Sequence, residues 1–548
     1  MASEADKTQL ETSQEYTGSE NNDNTVSKSS SDSGDAVKAV THSVSWITYQ
    51  VIITAALGGY LYGFSANAIA GTLAQPSFIA KFLSTPDAAQ RTDGLLGGFL
   101  AGAMVGSLVQ APLAKHYGRR LCNAVAAGIV ILSGALQAAS VNIAMLLVFR
   151  VICGIGAGMV FANSPVYMSE VAPPHARGSL VGMQGVGVVT AYILCAVFNL
   201  AFSYVHSAIQ WRLIFIVLTG MGVVHLISLY FLPESPRWLM EQGRDDEALA
   251  ILVKLHKTKT DPNGVLAHAE ATQIKAQVET EKNLPGGFWY IFTTRHLLKR
   301  AYCSILLWVM AQGTGITAIA NLVPVLMGGL GFGVTLQMAL GVVWTVCAVI
   351  GCGFNVLLLD RVPRVRLLVI GGFGSAAILS VMAALQKFYL GTDDGPGLNA
   401  AVAIYFIFGA FFTTTIECTA YAYGSEIWPT HLRSEGSTLV FASFFGNSIA
   451  YSAPVTVGLK NIGWKFYMIF VVVTVISTIA IWFTFPEVRP TSITLPVHIT
   501  NLRKTIGLPL EEINSKFGEK VEVDLKSAVA AEVGQEKRGE NITSKATA

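Results

Sequence analysis

Ser169-Glu170-Val171-Ala172-Pro173-Pro174-His175-Ala176-Arg177 returns, altered, as Ser425-Glu426-Ile427-Trp428-Pro429-Thr430-His431-Leu432-Arg433. Ser, Glu, Pro, His and Arg keep the same five places, 256 residues further on. A second echo keeps nearly the same offset: Pro233-Glu234 ends one half and Pro486-Glu487 ends the other. Each copy of the nine-residue stretch follows a long apolar run, so the chain reads as two related halves.

Composition says where such halves reside. The chain is 52% hydrophobic and 13% charged, with a mean hydropathy of +0.51, whereas soluble domains carry about 25% charge. Twelve apolar spans emerge, at 46–70, 96–114, 121–141, 144–165, 178–203, 211–232, 300–328, 334–359, 366–387, 400–424, 437–458 and 464–485. They are long enough to cross a hydrocarbon core of about 30 Å, and the ten-residue alternation of a membrane barrel is missing. The expected fold is an all-α membrane protein of twelve transmembrane helices in two pseudo-symmetric six-helix bundles. Internal repeats in such a chain mark a transporter.

The expected divisions are a disordered N-tail (1–45), a first bundle (46–232), a linker with short helices (233–299), a second bundle (300–487) and a C-tail (488–548). Lys and Arg in short loops orient a membrane chain. Eight fall on the linker side and six on the other, and the basic linker adds to the first count, so both termini are expected in the cytoplasm. No signal peptide opens the chain, and no basic run points to nucleic acid. The seven cysteines lie in or beside apolar runs without metal-ligand spacing, and read as small buried residues. Gly98, Gly102 and Gly106, and Gly154, Gly156 and Gly158, form small-residue faces suited to close helix packing. The second run matches a loose dinucleotide fingerprint, but no strand precedes it.

With Gly118-Arg119-Arg120, Arg150, Pro165 to Gly178, Pro233-Glu234-Ser235-Pro236-Arg237, Asp360-Arg361, Glu426 to Arg433 and Gly507 to Glu512 together, the chain resembles the sugar porter family of the major facilitator superfamily, fungal members above all. The resemblance covers roughly residues 46–520. It implies alternating access, no enzymatic activity, and no cofactor or metal. It also implies a small solute, a sugar first and protons second, moved across the plasma membrane. Export of a fungal small metabolite and sugar sensing without transport are the alternatives. The implied cytoplasmic gate consists of Arg119, Arg120, Glu170, Arg177, Glu234, Arg237, Asp360, Arg361, Glu426 and Arg433, with opposite charges able to pair between the bundles when the inner side is closed.

The departures concentrate in the implied cavity. The fifth-span Gln of hexose carriers is Gly185 here, with Gln184 beside it. The seventh-span motif keeps Gln312 but has Thr317 for Asn, and Asn321-Leu322 replaces Tyr-Tyr. Ala420-Tyr421 stands for Pro-Trp, and the eighth-span Asn corresponds to Ala348. Sugar hydroxyls need several convergent amides and hydroxyls, and the groups left for this are Asn67, Gln184, Gln312, Thr317, Asn321, Glu417 and Tyr421. Proton-coupled relatives carry Asp where this chain has Ser65, opposite Arg150, so a Ser65–Arg150 contact is expected. Glu417 lies nine residues before Glu426, about 13.5 Å deeper along a helix, and an intramembrane carboxylate is a functional candidate by default. It would carry a coupling proton or hydrogen-bond the solute. Finally, relatives run from Pro-Glu directly into Thr-Lys-Gly, whereas Val488 to Lys504 intervene here. A retained intron and a genuine loop insertion are the two explanations.

Overall fold

The computed structural model describes residues 45–485 apart from short segments at 174–176, 257–263, 283–286, 330, 360, 390–394 and 430–431. The N-tail up to residue 44, Asp360 and the C-tail with its 488–504 segment lie outside the described residues, as do the side chains of Arg177 and Arg433.

The first bundle comprises α1 (Trp46–Thr72), α2 (Ala88–Tyr117), α3 (Arg119–Ala138), α4 (Ile143–Val171), α5 (Arg177–Ser203) and α6 (Gln210–Tyr230). Side-chain caps start several helices. The Ser45 hydroxyl accepts from Ile47 N–H at the head of α1, and Asn142 Oδ1 accepts from Met145 N–H at 2.8 Å at the head of α4, each satisfying an orphan helix donor. The linker holds α7 (Pro236–Glu241), α8 (Asp245–His256) and α9 (Val265–Lys282). It docks on the foot of the first bundle, where Thr48 Oγ1 donates to the Leu255 carbonyl at 2.6 Å. That contact defines a linker end and a far end of the molecule.

The second bundle begins at Arg295 rather than 300, because Leu297 and Arg300 are already buried against it. Its seventh crossing is two helices, α10 (Arg295–Gly313) and α11 (Ile316–Gly329), where a single span was expected. Gly315 makes the break at φ +74°, and a β-carbon there would lie 2.5 Å from the Phe470 ring. Next come α12 (Val334–Leu359) and α13 (Arg364–Tyr389). The tenth crossing is α14 (Gly395–Phe412), a π-helical turn at Thr413–Glu417 and α15 (Cys418–Glu426). The chain ends its described course in α16 (Arg433–Ser452), α17 (Val455–Ile462) and α18 (Phe466–Thr484). Among the described residues, eleven helical stretches are long and apolar enough to cross a membrane. One of them, Ser434–Thr484, is 51 residues long and turns back near Pro454 and Gly463, so it supplies two crossings and the total matches the twelve expected.

The symmetry read from the repeat is visible in the packing. In the first bundle α1 packs on α4, α5 and α6, and α3 packs on α4 and α6. Six crossings later the same partnerships recur: the seventh crossing packs on the tenth, eleventh and twelfth, and α13 packs on the tenth and twelfth. The two most extensive seams between the bundles are α2 with α16 and α5 with α12, and each is the symmetry mate of the other. The glycine faces serve close packing as expected: β-carbons on Gly102 and Gly106 would fall 2.0 and 2.1 Å from the carbonyls of Val151 and Ile155 on α4. In a bilayer such backbone approach, more than apolar burial, holds helices together. Six of the seven cysteines are buried and Cys347 is half-buried, and all are free thiols.

Candidate functional site

Aromatic rings from both bundles meet midway between the ends. Tyr62 of α1 stacks on Phe161 of α4 at 4.0 Å between centroids, and Phe161 meets Phe441 and Tyr421 of the second bundle edge-on at 4.9 and 5.8 Å. Trp308 of α10 adds contacts to Tyr421 at 5.1 Å and to Phe444 at 4.8 Å. This cluster was not singled out from sequence, where Phe and Trp in an apolar span look the same facing lipid or facing a partner helix. Its only signal is the spacing of Phe441, Phe444 and Phe445, which lie on one helix face.

Glu417 closes the π turn beside this cluster, half-buried, and lies near enough to Tyr62, Tyr192 and Tyr421 to act on them electrostatically. A π turn widens the helix by one residue and recurs at functional sites. Asn355 of α12 braces this one. Its amide donates to the Thr414 carbonyl at 2.6 Å, and its Oδ1 accepts from the Thr419 hydroxyl at 3.2 Å, so it grips the chain on both sides of Glu417. Asn355 was not singled out from the sequence, where the eighth-span Asn of relatives corresponds to Ala348. The buried amide of the eighth crossing stands seven residues on, two turns nearer the linker and on nearly the same face.

Most of the expected solute-binding amides are already engaged. Thr317 Oγ1 donates to Gln312 Oε1 at 2.6 Å, and Asn321 Nδ2 donates to the Thr317 carbonyl at 2.9 Å, so these three form one chain across the break at Gly315. Asn67 Nδ2 donates to the Tyr192 carbonyl at 3.2 Å. Gln184 differs: it is buried against Gly59, and neither amide atom has a hydrogen-bond partner. The structure therefore links Gln312, Thr317 and Asn321 to one another and sets Glu417 beside Tyr421, while Gln184 hydrogen-bonds to none of them. Towards the far end, a crevice of about 340 Å³ including its mouth opens between the bundles, lined by Asn67, Gly71, Asn199, Pro324, Trp344 and Thr345 among others.

Arg150 is 1% exposed and meets Ser65 as expected, but not through the hydroxyl. Its guanidinium donates to the Ser65 carbonyl at 2.8 Å and the Ala66 carbonyl at 3.2 Å, and lies 4.3 Å over the Phe99 ring. The Ser65 hydroxyl turns back to the Leu61 carbonyl at 2.7 Å.

The charged motifs meet at the linker end. Arg119 grips Glu170 bidentately, at 3.0 and 2.9 Å, and the Ser235 hydroxyl donates to the same carboxylate at 2.6 Å. Glu234 sits at the head of α3, accepting from the backbone N–H of Arg119 at 2.9 Å, Arg120 at 3.2 Å and Ser235 at 2.9 Å. Burial pushes the Glu234 carboxyl above the usual carboxylate range, and those three N–H groups oppose the shift. The turn that allows this is Gly118, at φ +92°, where a β-carbon would lie 2.6 Å from Glu234 Oε2. Arg237 pairs with Glu241 at 3.4 Å, and Arg364, which was not among the expected gate residues, pairs with Glu426 at 2.6 Å. Arg120 reaches the Tyr230 carbonyl at 3.3 Å, and Arg361 is exposed. Arg119–Glu170 lies within the first bundle, Arg364–Glu426 within the second and Arg237–Glu241 within the linker helix α7; the expected pairing between bundles also involves Asp360, Arg177 and Arg433, whose side chains lie outside the described residues.

Two symmetric six-helix bundles around a central polar and aromatic contact, with charged clasps at one end, define a secondary transporter of the major facilitator type. The chain matches the family model described as sugar (and other) transporter over residues 51–494, and it belongs to that family. It is 29% identical over 442 residues to the MFS-type transporter criB of Aspergillus cristatus, covering 79% of this chain and 89% of that one. With the high-affinity glucose transporter of Kluyveromyces lactis it shares 27% identity, covering 80% and 83%. Among solved structures, the proton:xylose symporter XylE bound to 6-bromo-6-deoxy-D-glucose superposes with a TM-score of 0.71 at 21% identity, covering 86% of this chain and 99% of that one, and a related structure names its source as E. coli.

Proposed function

We propose that the chain carries a sugar or sugar-like small solute by alternating access, with both termini and the linker in the cytoplasm and the far end facing out of the plasma membrane. The observation that carries the reading is Glu417, a carboxylate held on an Asn355-braced turn where the two bundles meet. It is placed to accept a hydrogen bond from a solute hydroxyl or to carry a coupling proton. Gln184 adds an amide with no protein partner, and Asn67 lines the crevice leading in from the far end. The glucose transporter of Kluyveromyces lactis among the relatives supports the sugar as solute.

A second reading, export of a less polar metabolite, is favoured by one feature. Gln312, Asn321 and Asn67 each commit one amide group to a bond within the protein, and the rings of Tyr62, Phe161, Trp308 and Tyr421 fill the centre.

Uptake of labelled glucose in yeast lacking its own hexose transporters, with surface expression confirmed, tests the first reading. Saturable uptake is the expected result. Surface-expressed protein without uptake rejects glucose and moves the weight to the second reading.

A further inference from the structure

Asp93 lies in the second turn of α2 at the far end and is 7% exposed. Its Oδ1 accepts from the backbone N–H of Thr456 at 2.9 Å, and its Oδ2 from that of Val457 at 3.0 Å. The carboxylate belongs to the first bundle and both donors to the second, so these hydrogen bonds cross the α2–α16 seam. Thr456 and Val457 open α17, where N–H groups have no partner within their own helix. Without Asp93, two N–H donors of the second bundle would face the first unpaired, which is costly away from water.

The packing beneath tightens the same seam. One turn in from Asp93, a β-carbon on Gly97 would come within 3.0 Å of the Ala453 β-carbon, and further along a β-carbon on Gly446 would meet the Met104 sulfur at 3.6 Å. The charged contacts at the linker end differ in kind: Arg119–Glu170 and Arg364–Glu426 each tie one bundle to itself, and Arg237–Glu241 lies within the linker helix α7. Asp93 ties the two bundles together.

The geometry points to Asp93 as the latch of the far-end gate. While its carboxylate is held by α17, the two bundles are joined at the far end. For the far end to open, both N–H···O bonds must break and water must take their place. Asp93 does not touch the crevice. It acts through the position of α16 and α17, and it sets the balance between far-end-closed and far-end-open forms. The inference rests on alternating access but not on which solute is carried.

Electron–electron distance measurements on the full chain in lipid nanodiscs test it. Spin labels go on Val141→Cys and Phe388→Cys, exposed positions of the two bundles, with the seven native cysteines replaced. Asp93→Ala is expected to raise the far-end-open population about tenfold, the size expected for losing a hydrogen bond to a charged group. Asp93→Asn keeps one acceptor oxygen and is expected to fall between Asp93→Ala and the parent, and it carries the test if Asp93→Ala does not fold. A control pair within the first bundle, on Trp46→Cys and Val141→Cys, is expected not to move. Distances across the bundles that stay unchanged in both Asp93 variants overturn the latch, as does an equal shift in the control pair. A chain that carries no glucose yet opens on Asp93→Ala keeps the latch and loses the sugar reading. A chain that carries glucose with unmoved distances loses the latch alone.

Discussion

The guanidinium of Arg150 is held by the backbone carbonyl of Ser65, at 2.8 Å, in the position where proton-coupled relatives are expected to place a carboxylate. A buried cation satisfied by carbonyls and a ring face costs desolvation without the return of an ion pair. Arg150→Met, apolar and of similar reach, is therefore expected to leave thermal stability unchanged or raise it, while lowering transport. Melting of the detergent-solubilised protein beside an uptake assay checks this. A fall in melting temperature together with unchanged uptake would make Arg150 a structural residue.

Ser65→Ala is expected to be nearly silent. Its hydroxyl bonds only the Leu61 carbonyl one turn back, and the Arg150 contact uses the main chain. The cost should stay within about 0.5 kcal/mol, as for substitutions that break no specific feature, read as a melting temperature indistinguishable from the parent.

Arg119 and Glu170 form a buried bidentate pair inside the first bundle. Removing one partner strands a buried charge, and Arg119→Ala is expected to cost about 3–5 kcal/mol. Because the pair does not bridge the bundles, the loss should appear as low yield and early melting rather than as a shifted gate. A stable Arg119→Ala protein with altered distances between bundles would contradict this.

Gly118→Ala forces a β-carbon into a left-handed backbone and against the Glu234 carboxylate. The strain should cost about 1–3 kcal/mol, measurable as a lower melting temperature. The same change at Gly128, where nothing lies within 4 Å of the added carbon, is the control and should not destabilise.

The twelve crossings and the two-fold repeat were legible because membrane solvation imposes long apolar runs and because the Ser169–Arg177 stretch recurs. The charged gate residues were legible as residues but not as pairs. Sequence shows that Glu170 and Glu426 close spans, and Arg119 and Arg364 open them, at one face, but which of them meet depends on how the helices cross. Asn355 was hidden because the amide sits two turns away from the position where relatives place it. Asp93 was hidden because one acidic residue near a span end reads as a solvated loop charge, and its partners are backbone N–H groups that leave no trace in a sequence. Glu417 stood out for the opposite reason: a carboxylate deep in an apolar span is costly, so it is either functional or a structural carboxyl satisfied by Ser or Thr neighbours.

The most direct test is therefore at Glu417. Uptake of the carried solute is measured across a pH series for the parent and for Glu417→Gln, with surface expression matched. The account predicts that the variant loses at least about tenfold in rate, a hydrogen bond to a charged group's worth, or loses its dependence on pH. Uptake with the parent's rate and the parent's pH profile would show that the carboxylate neither meets the solute nor carries a proton, and would contradict the account.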